Sequence, residues 1–183
     1  MSRRAAALVT LLAASLWSPA AARASQGFAT QACANPEIPA SILAGRAAVR
    51  GSLTMPSIVV RAGRVALRLA VANSEHRRER GLMCVTALRP RGGMLFVFAS
   101  DAIQTFWMKN TLIPLDMVWV RADGRIDEVA AEVPASTRTT PDDAVARRSG
   151  RGRYVIELAG GEARRDGIAV GRRVLIPRGG YQR

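Results

Sequence analysis

Short apolar runs separated by turn residues recur along the chain between residues 57 and 176. Alternating residues predict a strand hairpin at 57–61 and 65–71, with Ala62-Gly63 in the turn. An unbroken apolar run at 94–98 is typical of a strand that is buried on both faces. Further strands are predicted at residues 105–109, 117–121, 125–133, 154–158 and 168–176.

Helical patterns are few and short. Asn73-Ser74 is predicted to cap a helix that runs to about residue 83, and residues 160–166 predict one or two further helical turns. So many strands with so few helices predict a β-rich α+β fold, with a small, mostly antiparallel sheet that is barrel-like or half-closed. Closure of this kind removes exposed strand edges.

The connections between strands carry their own signals. Asp123-Gly124 predicts a hairpin turn, and residues 101–104 predict a second turn. Residues 134–152 are polar and contain prolines and glycines, which predicts a long loop.

Both ends of the chain differ in composition from the domain. Arg3 and Arg4 precede an apolar run of about a dozen residues, and a small-x-small cleavage site ends at Ala24. We therefore expect a signal peptide at 1–24, a loose N-terminal arm at 25–52, a single compact domain at 53–178 and a tail at 179–183. The mature protein is expected to be exported, periplasmic or secreted, and to have no transmembrane segment.

The chain is strongly basic, with a formal charge of +13 that falls to +10 when the three arginines of residues 1–24 are removed. A charge of this sign favours anionic partners such as lipid head groups or acidic polysaccharide. The arginines are scattered and are not interleaved with aromatic residues, so we expect no nucleic-acid binding. A soluble, arginine-coated surface would have the same composition. We expect the protein to be a monomer.

The chain has two cysteines, Cys33 and Cys84. An even count in an oxidising compartment predicts a disulfide that ties the arm to the domain. It would close a loop of about 50 residues and stabilise the fold by roughly 4 kcal/mol. The alternative is two unpaired thiols. With one histidine and no paired cysteine or histidine spacing, we predict no metal and no cofactor.

The only lysine among the 27 basic residues is Lys109. Lys109, Asn110, Thr111 and Asp116 bring a cation, an amide, a hydroxyl and a carboxylate to one predicted bend. Trp107 alternates with Lys109 and shares its face of the strand. This combination favours a small polar ligand, such as a sugar or a peptide terminus. The alternative is a buried tryptophan, two turn residues and a structural ion pair between Lys109 and Asp116.

Glu157 interrupts the apolar strand at 154–158, where alternation places it on the face opposite Tyr154 and Ile156. It requires a partner if it is buried. Arg80 and Lys109 are the candidate partners, so Glu79, Arg80 and Glu157 join the residues predicted to bind a ligand. Asp116 and Glu157 could also serve as the acid and the base of a hydrolase.

Five motifs in order resemble the uncharacterised proteins grouped as Domain of Unknown Function 192. They are Glu79-Arg80-Gly-Leu-Met, Gly93-Met-Leu-Phe-x-Phe, Phe106-Trp-Met-Lys-Asn-Thr, Pro114-Leu-Asp, and Tyr154-Val-Ile-Glu-Leu with Gly160. The resemblance implies a compact β-rich domain, frequent export and no established activity.

The chain departs from this family in two places. Cys84-Val85 replaces an aromatic residue and an arginine, which favours a role for Cys84 that is particular to this chain. Gly171 is followed by Arg172 where the family often has an aspartate.

These observations predict a non-enzymatic module that binds a small polar or carbohydrate-like ligand around Trp107 and Lys109. One alternative is an envelope hydrolase that uses Asp116 and Glu157. The other is a basic accessory protein that docks on anionic envelope surfaces.

Overall fold

The structure is a computed structural model that describes residue 35, residues 37–44 and residues 55–177. One curled sheet of seven strands forms a half-barrel, in the order β5-β4-β6-β3-β2-β1-β7. The strands are β1 (Ser57–Ala62), β2 (Val65–Ala72), β3 (Gly92–Trp107), β4 (Leu115–Val120), β5 (Ile126–Val133), β6 (Arg147–Ala159) and β7 (Val174–Leu175).

Two short helices accompany the sheet, α1 (Glu75–Arg80) and α2 (Glu162–Arg165). All named strand pairs are antiparallel except β2 with β3, which are parallel and are connected through α1. The predicted β-rich α+β fold, with a half-closed and mostly antiparallel sheet, is therefore confirmed.

The first hairpin and helix follow from local sequence. β1 and β2 pair up to Ala62 and Val65, and Gly63 takes a φ of 61° in the turn. The Ser74 side chain accepts the N–H of Arg77 at 3.4 Å, which caps α1 as predicted. The helix ends at Arg80 rather than near residue 83, because Gly81 has a φ of 45° and leaves the helical conformation.

Alternating side chains give the sheet two buried faces. The first core lies on one face and includes Phe96, Met117, Trp119 and Val155, whereas the second core lies on the other face and includes Leu67, Leu69, Val71, Leu95, Val118, Ile156 and Leu158. The predicted alternation of β2 and of residues 154–158 is confirmed.

Part of the N-terminal stretch packs against this domain. Ile38 and Ile42 are buried in the first core. The Asn35 amide donates to the carbonyl oxygens of Gly81 and Met83 at 3.0 and 3.1 Å. Residues 37–44 of the predicted arm therefore add apolar side chains to the core, which the small and polar composition of residues 25–52 does not indicate.

Three further predicted boundaries are wrong. The residues of the predicted turn at 101–104 belong to β3. The pairing of β3 with β6 changes register between Val97 and Ala102, as at a β-bulge. The predicted loop at 134–152 ends at residue 146, because residues 147–152 pair with residues 102–107. The last strand is shorter than residues 168–176, since Gly171 adopts a φ of 83° before β7.

The two outer strands of the sheet approach each other at one end. Arg125 and Arg173 form an isolated antiparallel bridge. Beside it, Ile126 donates its N–H to the Arg172 carbonyl and Val174 donates to the Gly124 carbonyl, both at 2.8 Å. The half-barrel is thus joined across its two edges at this end.

The predicted signal peptide at 1–24, Cys33 and the tail at 179–183 lie outside the described residues. Within the part of the chain that the structure describes, no helix is long and apolar enough to cross a membrane.

Candidate functional site

A surface cavity of about 240 Å³ lies between the end of α1 and β3. This α1–β3 cavity is lined by residues 78–81, Met83, Phe96, Phe98, residues 104–107, Lys109 and Thr111. Five of the eight residues predicted to bind a ligand line it: Glu79, Arg80, Trp107, Lys109 and Thr111. Asn110, Asp116 and Glu157 do not.

Aromatic rings form one wall of the α1–β3 cavity. The Phe106 ring packs edge-on against Phe96, with centroids 4.8 Å apart, and against Phe98 and Trp119 at 6.2 Å. Edge-to-face packing of this kind adds to the stabilisation that burial provides. The wall is therefore held in place by the first core.

Trp107 stands at the rim of the cavity with two cations beside its ring. The Lys109 Nζ lies 4.9 Å from the ring centroid and the Arg147 Cζ lies 5.5 Å from it. Both distances are within the range of cation–π attraction. Lys109 also pairs with Asp142, at 2.9 Å between Nζ and Oδ1. We call these four residues the Trp107 cluster.

The predicted ion pair between Lys109 and Asp116 is wrong. Lys109 extends over the exposed face of β3 to Asp142, whereas Asp116 is fully buried. The Asp116 carboxylate accepts three backbone N–H groups, those of Glu132 at 2.7 Å, Gly161 at 2.9 Å and Ala163 at 2.7 Å. Asp116 is therefore a structural residue that connects three segments.

Glu157 is buried between methionines. Glu157 lies in β6 between Met94 of β3 and Met117 of β4, and 5% of its surface is exposed. Neither predicted partner reaches it, because Arg80 donates to Asn35 and Lys109 pairs with Asp142. No hydrogen bond or ion pair joins its side chain to another described residue. Burial raises the pKa of Glu157 to about 8, so the carboxyl is protonated at neutral pH.

The two carboxyl groups of the predicted hydrolase lie on opposite faces of the sheet. Asp116 pairs with Leu158, a residue of the second core, whereas Glu157 pairs with Met117 of the first core. Directly paired residues share a face. The hydrolase prediction is therefore wrong for this pair, since one substrate cannot lie between them.

Asn110 and Thr111 serve the bend after β3. Asn110 has a φ of 53°, which asparagine tolerates better than most residues, and its carbonyl accepts the N–H of Cys84 at 2.9 Å. The Thr111 hydroxyl donates to the Lys109 carbonyl at 3.3 Å. Asn110 and Thr111 therefore make hydrogen bonds that satisfy backbone groups of the turn, as the alternative prediction stated.

The sequence predictions missed Arg78 and Phe98 in the cavity and Asp142 and Arg147 in the Trp107 cluster. The Arg78 guanidinium lies 5.3 Å from the Phe98 centroid and donates to the Val97 carbonyl at 3.1 Å. Phe98 belongs to the apolar run at 94–98, so the run could have indicated it. Asp142 lies in a loop, where no periodic pattern predicts a neighbour.

Metal binding has no obvious location in residues 37–44 and 55–177. No group of three or more histidine, cysteine, aspartate or glutamate side chains converges there.

Comparison with protein families gives a match over most of the domain. The model of the DUF192 family, described as "Uncharacterized ACR", matches residues 58–176. The chain belongs to the DUF192 family. The resemblance that the five motifs predicted is thus confirmed, and no curated protein matches the chain.

Two solved structures are similar to this DUF192 protein. A proposed transcription regulator from Sinorhizobium meliloti is 32% identical, with a TM-score of 0.58 over 68% of this chain and 96% of its own. A protein of unknown function from Novosphingobium aromaticivorans is 31% identical, with a TM-score of 0.59 over 76% of this chain and 98% of its own.

The motifs that carry the DUF192 resemblance occupy two places in the fold. Residues 79–83 and 106–111 meet at the α1–β3 cavity. Asp116 of the fourth motif bonds to the Gly161 and Ala163 backbone, directly after Gly160 of the fifth. One group of motifs therefore surrounds a cavity and the other holds the sheet together.

Proposed function

We propose that this DUF192 protein is an exported, non-enzymatic binding protein that holds a small polar or carbohydrate-like ligand in the α1–β3 cavity. The observation that carries this proposal is the meeting of Trp107 and Lys109 with Glu79 and Arg80 around one cavity. Apolar area beside a few placed polar groups is the usual composition of a small-molecule site.

A binding role is favoured over catalysis by the positions of the acidic groups. Glu79 is the one acidic residue among the described residues that line the cavity. Asp116 is occupied by three backbone N–H groups, and Glu157 is buried in the first core. No pair of carboxyl groups among these residues faces the cavity for acid and base chemistry.

The test is a thermal-shift screen of the mature protein against neutral sugars, acidic sugars and short peptides. We expect at least one class to raise the Tm, and Trp107→Ala to abolish the shift. Val170→Ala is the matched control, because Val170 is also a large apolar residue, is 60% exposed, and lies outside both the cavity and β3. A library without any stabilising compound, or a shift that both variants retain, would refute the proposal.

Export and the Cys33–Cys84 disulfide belong to the same proposal. Asn35 donates to the carbonyl of Met83, the neighbour of Cys84. Two residues of extended chain span at most about 7 Å, so this anchor favours the approach of Cys33. We expect thiol labelling of the exported protein to find neither cysteine reactive before reduction. Labelling of both cysteines in the unreduced protein would refute the disulfide.

Docking on an anionic envelope surface is a second candidate function. The register places Ile103 opposite Arg151 and Trp107 opposite Arg147, and these four exposed residues combine apolar and cationic side chains on one face. Sedimentation with vesicles rich in phosphatidylglycerol should fall steeply between low and high salt. Binding that does not change with salt would exclude this function.

A further inference from the structure

One edge of β3 directs peptide groups toward the α1–β3 cavity. Met108 donates its N–H to the Ala146 carbonyl at 3.0 Å, and the same register continues back to Ala102 and Gly152. Residues of an antiparallel pair alternate between those that bond across the ladder and those whose N–H and C=O point away. Ile103, Thr105 and Trp107 therefore direct both groups away from β6.

The side chains agree with this assignment. Thr105 Oγ1 and Ser149 Oγ lie 2.8 Å apart and share a hydrogen bond across the ladder. Close side chains are typical of the pairs that do not exchange backbone hydrogen bonds. Thr105 is thus a position where the backbone N–H faces outward.

This edge has no partner strand among the described residues beyond Phe96. β2 pairs with β3 only as far as Ala72 opposite Phe96. The α1–β3 cavity lies along the continuation, and residues 104–107 line it. At the start of this unpaired part of β3, the Val97 carbonyl accepts a hydrogen bond from the Arg78 guanidinium. A donor from α1 therefore already reaches this edge.

We propose that the α1–β3 cavity takes a short, extended, acidic peptide that adds to the edge of β3 as a further strand. This inference rests on the proposed function and specifies its ligand. The outward peptide groups recur every second residue, at roughly 6.6–6.8 Å, which is the repeat that an extended polypeptide presents. A sugar has no such repeat of donors and acceptors.

The charges of the cavity favour an acidic occupant. Among the described residues that line it, Arg78, Arg80 and Lys109 are cations and Glu79 is the one carboxylate. Arg147 adds a further cation beside the Trp107 ring. Such an arrangement attracts carboxylates, either from side chains or from a free C-terminus.

The length of the occupant is limited at both ends of the cavity. The pairing of Ala72 with Phe96 closes one end. At the other end the Cys84 N–H bonds to the Asn110 carbonyl at 2.9 Å, so the segment after α1 meets the end of the bend. The outward groups of Ile103, Thr105 and Trp107 lie between these contacts, so the occupant is a peptide of a few residues.

The experiment uses four synthetic probes and the mature protein. The first probe is acetyl-Val-Glu-Val-Glu with a free C-terminus, and the second is the same peptide with lysine in place of glutamate. The third carries N-methyl groups on alternate peptide nitrogens of the first, and the fourth is an oligoglucuronate. Titration calorimetry measures each Kd, and amide hydrogen exchange reports on Ile103, Thr105 and Trp107.

We expect the acidic peptide to bind and the lysine peptide to bind at least about tenfold more weakly. N-methylation should weaken binding by about tenfold, because it removes main-chain donors. The amides of Ile103, Thr105 and Trp107 should exchange more slowly in the complex. Thr105→Pro removes one outward N–H and no backbone hydrogen bond to β6. Thr105→Val keeps that N–H, and it is the matched control because both variants lose the hydroxyl that bonds to Ser149.

Four results would overturn the inference. Equal binding of the N-methylated peptide excludes strand addition, and this test stands even if Thr105→Pro does not fold. If only the oligoglucuronate binds, and Trp107→Ala abolishes that binding, the ligand is not a peptide, but the proposed function stands. If none of the four probes and none of the sugars in the screen binds, both the peptide inference and the proposed function are refuted. A dimer by light scattering that Thr105→Pro disrupts would assign the edge to a second copy of the chain.

Discussion

The backbone nitrogen of Ala163 donates a hydrogen bond to Oδ2 of Asp116, with the two atoms 2.7 Å apart. The other carboxylate oxygen, Oδ1, accepts the N–H groups of Glu132 and Gly161. One buried side chain thus joins β4 to the end of β5 and to the first residues of α2. Hydrogen bonds to a charged acceptor are among the stronger ones in proteins.

Substitution of Asp116 should destabilise the domain strongly. Asp116→Ala leaves three backbone donors without their acceptor, and we expect a loss of about 3–5 kcal/mol in the free energy of unfolding. Asp116→Asn retains one oxygen and should lose about 2–3 kcal/mol. Urea unfolding monitored by tryptophan fluorescence measures both values.

Asp142→Asn is the matched control for this prediction. Asp142 is exposed and pairs with Lys109 at the surface, and such pairs contribute at most about 1 kcal/mol. An equal loss of stability in Asp116→Ala and Asp142→Asn would contradict the structural role of Asp116.

Glu157 should make the domain less stable as the pH rises. The folded pKa is raised by burial from 4.5 to about 8, so the folded state keeps its proton while the unfolded state loses it. The contribution is present in full below pH 4.5 and is lost as the pH passes through about 8. Between these two pH limits, the contribution of Glu157 to the free energy of unfolding changes by roughly 5 kcal/mol at most.

Glu157→Gln isolates this contribution, because glutamine has a similar shape and does not titrate. Burial raises the pKa of Glu162 as well, and that residue acts in the same direction in both proteins. Urea unfolding at pH 5 and pH 8 should therefore show a smaller loss of stability in the variant than in the parent. Equal losses would show that Glu157 ionises in the folded state at its ordinary pKa.

Phe106 and Trp107 are adjacent in β3 but should respond differently to truncation. Phe106 packs against three aromatic rings, so Phe106→Ala should cost about 3 kcal/mol of stability. Trp107 is 41% exposed, and Trp107→Ala should cost less than about 1 kcal/mol. Thermal and urea unfolding distinguish the two. A large loss in Trp107→Ala would make it unsuitable as a binding variant.

Gly93 should not accept a side chain. An added Cβ would lie 2.1 Å from the carbonyl oxygen of Glu157 in the neighbouring strand, so Gly93→Ala must separate β3 from β6. We expect this variant to be largely unfolded by circular dichroism. Gly63→Ala is the comparison, because its Cβ would meet no atom within 4 Å and only its φ of +61° is unfavourable. That variant should lose about 1 kcal/mol.

The predictions that succeeded depend on neighbours in sequence. The β1–β2 hairpin, the Ser74 cap and the Asp123-Gly124 turn each follow from a few adjacent residues. Alternation along residues 154–158 likewise assigned Glu157 to the face opposite Tyr154 and Ile156. Local preferences of this kind need no knowledge of what lies across the sheet.

The predictions that failed depend on residues distant in sequence. Lys109 pairs with Asp142, which lies in a loop, and no periodic pattern in the sequence relates that loop to β3. Asp116 is satisfied by backbone groups of Glu132, Gly161 and Ala163, whose positions follow only from the completed sheet. The register shift in β3 between Val97 and Ala102 likewise depends on the pairing with β6.

The joining of the two sheet edges near Arg125 and Arg173 bears on how the chain folds during synthesis. The contacts that close this end come from residues 171–174, which a ribosome makes last in the domain. Strand β6, which lies between β3 and β4, is also a late segment. A nascent chain that lacks these segments has neither its central strand nor its closure. The domain therefore reaches its native hydrogen bonding only after translation of the whole domain.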